Sequence, residues 1–268
     1  MKKIFYLLTF LLIGFTACQT TPVEEQFETT ITGYFDNING KEVVLAIQSP
    51  EGVIPVDTAL VQEDGYFVFT PNVGDMQLYR IVTGFNQFIT FALQKGDHIH
   101  LEANGQDVTG YYIEGSDESI LIGEVSKELT RNRFLLDSLR TEVQHLSAAK
   151  NGKALFAVFE AQKMVHAEHA DYSRDFLLNH PGSLASYFVV TQLQLDEDAE
   201  LYYLVQEQLT ANHPTFNFLP TLNERIGILK LAKEGSKAPE LSFPSPSGET
   251  ISLSSLRGKY VLIDFWAS

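Results

Sequence analysis

The chain has 268 residues, 44% of them hydrophobic and 12% aromatic, and a formal net charge of −15. This length and apolar content suffice for at least one sizeable buried core and suggest about two domains. The excess of acidic residues argues against nucleic acid as a partner and against electrostatic docking on anionic lipid, because both need a basic face.

The first 17 residues are predicted to be a secretory signal peptide. Lys2 and Lys3 precede an apolar run from Ile4 to Phe15, and small residues follow before Cys18, which is the order of a signal peptide's regions. The run is shorter than the roughly 20 apolar residues that a membrane-spanning helix needs. The stretch "FTAC" resembles a bacterial lipobox, with phenylalanine where leucine is usual. The alternative is an ordinary cleaved signal whose cysteine is incidental.

We therefore predict that Cys18 is lipidated and that residues 18–28 form a polar tether. Cys18 is the only cysteine of the chain, so these residues alone can form no internal disulfide. A lipobox cysteine carries more than one acyl chain, which implies a stable membrane anchor. Gln19 stands where an aspartate commonly signals retention in the inner membrane, and this favours the outer membrane.

Residues 29–116 are predicted to form a β-rich domain. Eight short segments rich in Val, Ile, Thr, Tyr and Phe are separated by turn sequences such as "NING", "SPEG" and "KGD". Turns at this spacing predict an antiparallel sandwich or open barrel rather than alternating strands and helices. The stretch "EDGYFVF" predicts a tight hairpin, since Asp-Gly precedes alternating aromatic residues.

Residues 117–234 are predicted to be helical, which gives the chain an α+β fold class. Asp117 is predicted to cap a first helix, and a second helix is predicted from about Lys153 to Asn179, where "HPG" ends it. Three further helices are predicted across "SLASYFVVTQL", "DEDAELYYLVQEQLTAN" and "LNERIGILKLAKEG". The predicted apolar face of the first helix contains Ile120, Leu121, Val125, Leu129, Phe134, Leu135 and Leu139.

Residues 235–268 are predicted to begin a third unit. They offer a strand pair around a Pro/Ser/Gly turn, a short helical turn near "SLSSLRG" and an unbroken run from Tyr260 to Trp266. Such a run suits a strand that is covered on both faces, as in a parallel sheet. About 33 residues cannot build a core of their own, so we expect this segment to be poorly packed or docked on the helical region.

The stretches "GSKAPEL" and "SGETISLSSLRGKYVLIDFWAS" resemble the start of a thioredoxin-like domain. The similar proteins are membrane-anchored thiol–disulfide oxidoreductases of the TlpA and ResA type, within the AhpC/TSA superfamily. In that family the run leads directly into Trp-Cys-x-x-Cys, so the resemblance implies an incomplete α/β segment. We expect the chain to be a fragment that ends before the cysteine pair, and we expect no cofactor.

The same resemblance implies roles for three residues of the parent protein. Asp264 matches the buried acid that exchanges a proton with the resolving cysteine, while Phe265 and Trp266 would shape the redox site. This chain has no thiol pair for the acid to serve, so it is predicted to hold no catalytic residue. Within the chain alone, we interpret Asp264 as an aspartate at the end of a frayed strand.

The body of the chain is similar to the poorly characterised domain that precedes thioredoxin modules in Gram-negative lipoproteins. The similar stretches are "TGYFDNINGKEVVLAI", "DTALVQEDGYFVFT", "YYIEGS" and "NHPGSLASYFVV". The resemblance implies a periplasm-facing oxidoreductase of the cell envelope, with partners that carry disulfides or thiols. One alternative is a non-catalytic, lipid-anchored binding or scaffold module. A second is a thiol peroxidase of the same superfamily, although "FWAS" favours the reductase.

Two histidine pairs do not amount to a predicted metal site. His166 and His169 lie one turn apart on a predicted helix, and His98 and His100 alternate onto one side of a predicted strand. A catalytic zinc site usually needs a third protein ligand, and neither pair has an evident one. We interpret both pairs as solvated surface residues.

Overall fold

The computed structural model describes residues 28–38, 41–84, 86–232 and 235–264. The predicted signal peptide, Cys18, Phe265 and Trp266 lie outside the described residues. The predicted α+β class is confirmed, because the described chain runs through eight strands, then five helices, then a short C-terminal strand pair.

All eight strands lie where the alternating segments predict them. They form two four-stranded sheets, which we call the first sheet (β4-β1-β7-β8) and the second sheet (β3-β2-β5-β6). Every neighbouring pair in these sheets is antiparallel except β1 and β7, which run parallel. The strands are β1 Thr30–Asp36, β2 Glu42–Ser49, β3 Gly52–Leu60, β4 Tyr66–Phe69, β5 Gln77–Gly84, β6 Gln87–Leu93, β7 His98–Asn104 and β8 Asp107–Glu114.

The two sheets pack face to face around an aromatic core. Alternate residues of β1 point inward, so Ile31 and Phe35 are fully buried. The rings of Phe35 and Phe67 lie 4.7 Å apart between the sheets, in the tilted geometry that aromatic pairs prefer. Strands β6 and β8 approach each other without joining in a ladder, so the sandwich stays open along this side.

The hairpin predicted at "EDGYFVF" is wrong, although the turn itself is present. The amide of Gly65 donates to the carbonyl of Gln62 over 3.0 Å, and Gly65 takes the left-handed backbone that a turn here requires (φ 88°). The flanking strands then separate, since β3 pairs with β2 and β4 pairs with β1. Burial of Phe67 and Phe69 between the sheets explains why β4 crosses to the other layer.

The five helices follow the predicted order. Their bounds are α1 Asp117–Ala148, α2 Gly152–Asn179, α3 Ala185–Val190, α4 Ala199–Asn212 and α5 Leu219–Ala232. The residue that caps α1 is Ser116, whose hydroxyl accepts from the Ser119 amide, so the predicted cap at Asp117 is one residue late. Among the described helices, none combines the length and the apolar character that a bilayer span requires.

Helices α1 and α2 form a long hairpin, and the predicted apolar face of α1 is wrong in part. Ile120, Phe134 and Leu135 of that face are exposed, whereas Ile122 and Val125 are buried. The less exposed residues recur instead at alternating spacings of three and four, which is the pattern of two helices packed along a seam. On α1 this pattern comprises Val125, Leu129, Asn132, Leu136, Leu139, Val143 and Leu146.

A second core lies between the helices and the outer face of the second sheet. Leu78 and Ala92 of this sheet are buried in the same cluster as Tyr202 and Leu222 of the helices. The buried Ser119 hydroxyl donates to the Ala92 carbonyl over 2.8 Å, which fixes the start of α1 against β6. Each backbone carbonyl that is buried in this way needs such a partner.

The C-terminal segment, residues 235–264, contains an antiparallel pair and a short 3₁₀ helix. The pair is β9 Ser242–Pro244 with β10 Thr250–Ser252, and the 3₁₀ helix is Leu253–Leu256. None of these described residues is buried, which confirms the predicted poor packing. The predicted strand is wrong over residues 260–264, which belong to no sheet, because no strand of the described residues pairs with them to complete their hydrogen bonds.

Candidate functional site

A cleft opens where the helical layer stops covering the second sheet. Leu78 of β5 pairs with Ala92 of β6, and both are buried beneath the helices. Two residues further on β5, Arg80 pairs with Thr90 on the same face of the sheet. Here both side chains line an open cleft of about 830 Å³. A cleft of this size is typical of a site for a small ligand.

The far wall of the cleft is one face of α1. Val125, Leu129 and Arg133 recur every four residues and line the cleft, which places them on one side of the helix. Phe134 lies beside Arg133 in the same wall, and Phe188 of α3 contributes a third aromatic ring together with Phe88 of β6. The cleft therefore combines aromatic and aliphatic side chains with polar ones, and two guanidinium groups are among its lining residues.

Arg80 is the most unusual of these lining residues. Its guanidinium lies over the Phe88 ring, with the central carbon 3.9 Å from the ring centroid, and its buried Nε has no hydrogen-bond partner among the described residues. Burial lowers the pKa of this guanidinium from its usual value, because removing a cation from water disfavours the charged form. No described carboxylate forms an ion pair with it.

Arg133 likewise forms no ion pair with a described carboxylate, and its guanidinium lies 5.6 Å from the Phe134 ring centroid. Other arginines of the hairpin behave differently. Arg131 bonds to Glu128 at 2.7 Å, and Arg140 bonds to Asp137 at 3.1 Å. In a chain of net charge −15, two arginines that share a cleft without acidic partners leave positive charge available to a ligand.

The floor of the cleft is the open seam between β6 and β8, and side chains bridge it. Gln87 Oε1 accepts from the Val108 amide over 3.3 Å, and the Tyr111 hydroxyl donates to the Thr90 carbonyl over 3.4 Å. Burial raises the pKa of Tyr111, so its hydroxyl stays protonated and remains a donor. These two bonds link β6 to β8 across the seam.

One acidic side chain, Asp107, also lines the cleft. Its carboxylate accepts from the Thr109 hydroxyl at 2.6 Å and from the Thr109 amide at 3.1 Å. These two hydrogen bonds lower the pKa of Asp107, so the carboxylate is ionised at neutral pH. These bonds hold the carboxylate against Thr109 within β8, and its negative charge limits how much negative charge a ligand can bring.

The predicted redox residues do not assemble into a site in the described chain. Asp264 is exposed and lines an open groove of about 730 Å³ that lies within the C-terminal segment. The burial implied for this acid is therefore absent in this chain. Cys18, Phe265 and Trp266 lie outside the described residues.

The histidines that were considered as metal ligands have other surroundings. His98 and His100 bond through Nδ1 to the hydroxyls of Thr30 and Thr32 on the neighbouring strand, at 2.7 and 2.9 Å. The ring of His169 stacks near Tyr172. Across the described ranges, no three His, Cys, Asp or Glu side chains are grouped so that they could hold a metal ion.

Sequence reasoning missed the cleft. Arg80 and Arg133 lie on different elements, and nothing local to either residue predicts that they share a site. One signal was available, because Arg80 stands in the middle of the apolar strand "QLYRIVT", where a charge without an adjacent acid is unusual.

Residues 29–120 match the family model described as Domain of unknown function (DUF4369). The match covers the eight strands and the first residues of α1, and it agrees with the predicted N-terminal domain of unknown function. Comparison with curated proteins and with solved structures found no match to the chain. Arg80 and Phe88 fall inside the matched region, whereas Arg133, Phe134 and Phe188 follow it.

Proposed function

We propose that this chain belongs to a lipid-anchored envelope protein whose thioredoxin-like domain begins at about residue 235 and exchanges thiols with disulfides. The observation that carries the proposal is the exposed apolar run Tyr260–Ile263. Its sequence resembles the central strand that precedes the cysteine pair in TlpA-type and ResA-type oxidoreductases. Such a strand is normally covered on both faces, and the run is exposed on the described chain.

The redox chemistry of this proposal needs a cysteine pair outside the 268 residues, which hold Cys18 alone. In such a pair the first thiolate attacks a substrate disulfide and displaces one substrate thiolate. The thiolate of the second cysteine then attacks the mixed disulfide and displaces the second substrate thiolate. The cysteine pair is thereby oxidised to a disulfide, and the substrate is reduced by two electrons. Residues 29–232 would hold the substrate or partner near that pair, at the periplasmic side of the membrane.

The test reads the genomic DNA after the codon for Ser268 and assays the protein that it encodes. The proposal expects Trp-Cys-x-x-Cys in frame, and insulin reduction by the full-length protein in the presence of dithiothreitol. A matched variant with both cysteines changed to serine should lose this activity. A frame without paired cysteines, or a full-length protein without reductase activity, would contradict the proposal.

The anchor is tested separately through Cys18. Cells that are fed an alkyne-bearing fatty acid should label the wild-type chain, and Cys18→Ser should abolish the label and release the protein into the soluble periplasmic fraction. Gln19→Asp is the matched control, because it keeps the cysteine while changing its neighbour. Label that persists in Cys18→Ser would contradict the lipobox interpretation.

A second candidate function is a non-catalytic, lipid-anchored binding module, and the cleft with Arg80 and Arg133 favours it. This function needs no thiols, since the aromatic rings of the lining and two guanidinium groups without ion-pair partners among the described residues already suit a ligand. If the DNA test finds no cysteine pair while the cleft still binds a ligand, this second function replaces the first.

A further inference from the structure

We propose that the cleft between β6, β8 and α1 is a binding site for a small organic carboxylate that carries an aromatic or branched apolar body. This inference goes beyond the proposed redox function and does not depend on it. It rests on where two arginines lie, on what surrounds them and on what they lack.

The first step is the state of Arg80. A half-buried guanidinium with no carboxylate partner is unfavourable, because burial removes water without replacing its hydrogen bonds. Arg80 receives partial compensation from the Phe88 ring at 3.9 Å, but its buried Nε donates to no described residue. The Arg80 side chain lines the cleft, so a ligand carboxylate there would supply the negative partner that this guanidinium lacks.

The second step is the presence of Arg133 in the same cleft. It comes from α1 whereas Arg80 comes from β5, and both line the one space of about 830 Å³. Both guanidinium groups contribute positive charge to this one space, and the planar fork of an arginine matches the two oxygens of a carboxylate. The rest of the described helix satisfies its arginines internally, as Arg131 does with Glu128.

The third step is the presence of aromatic rings in the lining, which favours a ligand with an apolar body over a bare anion. Phe88, Phe134 and Phe188 all line the cleft, and an inorganic anion would leave their surface exposed to water. A ligand with an aromatic body buries that surface, at about 25 cal/mol for each Å². The ionised Asp107 at the rim opposes a second negative charge. A monoanionic carboxylate therefore fits better than a phosphate dianion.

The experiment measures binding of four probes to the purified full chain by isothermal titration calorimetry. The probes are 3-phenylpropanoate, its neutral amide 3-phenylpropanamide, acetate and inorganic phosphate. We expect 3-phenylpropanoate to bind and the other three to bind at least about tenfold more weakly, since each lacks either the charge or the apolar body.

The variants locate the site. Arg133→Gln and Arg80→Gln should each weaken 3-phenylpropanoate binding by about tenfold or more, as loss of a charge-assisted hydrogen bond predicts. Arg131→Gln is the matched control, because it makes the same change two residues away on α1 in a side chain that does not line the cleft. Its affinity should be unchanged. Arg133 is exposed, so its variant keeps the test valid if Arg80→Gln impairs folding.

Three outcomes would overturn the proposal. Absence of binding by 3-phenylpropanoate would remove the carboxylate site. Phosphate affinity equal to that of 3-phenylpropanoate would show a general anion site with no preference for an apolar body. Affinity that is equal in wild type, Arg133→Gln and Arg131→Gln would place the binding elsewhere on the chain.

Discussion

Two apolar stretches of this chain are similar in composition but adopt different structures. "QFITFAL" forms β6, where it pairs with β5 and buries Ile89, Phe91 and Leu93. The stretch from Tyr260 to Ile263 belongs to no sheet and is exposed. An apolar run supplies the side chains for a buried strand, but the strand forms only where a partner completes its backbone hydrogen bonds.

The two ends of β6 also differ in what covers them. Toward Leu93 the sheet is covered by helices and forms a core, whereas toward Gln87 the cover ends and the cleft with Arg80 begins. A single sheet face therefore serves as core at one end and as a candidate binding site at the other. The change occurs between two successive residues of that face on β5, Leu78 in the core and Arg80 in the cleft.

The largest expected effect is a loss of stability when a phenylalanine of the sandwich is truncated, compared with the same change in the C-terminal segment. Phe91 is fully buried between the sheets, and Phe243 of β9 is 66% exposed. Phe91→Ala should lower the free energy of unfolding by about 3–5 kcal/mol because it leaves a cavity. Phe243→Ala should change it by less than about 0.5 kcal/mol. Urea unfolding checks both, and equal losses would break the distinction between packed body and unpacked segment.

A smaller effect is expected at the ion pair that holds α2 against the start of α4. Arg174 Nε donates to Asp198 Oδ1 at 2.8 Å, and the Asp198 side chain is only 7% exposed. Arg174→Gln leaves a nearly buried carboxylate without its cation, so we expect a loss of about 1–2 kcal/mol. The control is the surface pair of Arg140 with Asp137, whose side chains are 71% and 54% exposed, and Arg140→Gln should lose less than about 0.5 kcal/mol by the same urea titration.

The smallest expected effect is a pH dependence of the helical region. Burial lowers the pKa of His213, which is half-buried at the end of α4, below its ordinary value near 6.5. The unfolded chain therefore binds more protons than the folded chain, and stability falls as pH drops through 6.5 toward the lowered value. The melting temperature should fall between pH 7.5 and 5.5.

His213→Gln should make this fall smaller, while the same change at the exposed His145 should leave it as in wild type. Glu118 and the Gly182 backbone act on His213 in the opposite direction, so they reduce the size of the effect without reversing its sign. A melting temperature that rises as pH falls, or a fall that His213→Gln leaves intact, would contradict this assignment.

Local pattern was sufficient to predict the strands and the order of the helices, because alternation and turn residues act over a few positions, but the bounds of α3, α4 and α5 differ from the prediction by up to three residues. It was insufficient for the parallel β1–β7 pair, whose strands are separated by five others, and for the crossing of β4 to the first sheet. The face of α1 was predicted wrongly because Phe134 and Leu135 were counted as core. The spacing of Leu129, Leu136 and Val143 would have identified the seam.

The candidate cleft depends on contacts between distant parts of the chain, so sequence alone could not locate it. Arg80 and Arg133 line the same cleft only because α1 packs beside the second sheet. The predicted redox site depends on residues that lie at or beyond the described C-terminal end. Asp264 is exposed, and the resemblance of its segment to a thioredoxin-like domain stays a prediction.

Hydrogen exchange followed by mass spectrometry on the 268-residue chain tests the central distinction most directly. We expect the β6 amides that bond to β5 to remain protected for about as long as global unfolding allows, while the amides of residues 260–264 exchange at nearly the rate of an unstructured peptide. Protection of residues 260–264 to the same degree as β6 would contradict it, because that stretch would then have found strand partners in this chain.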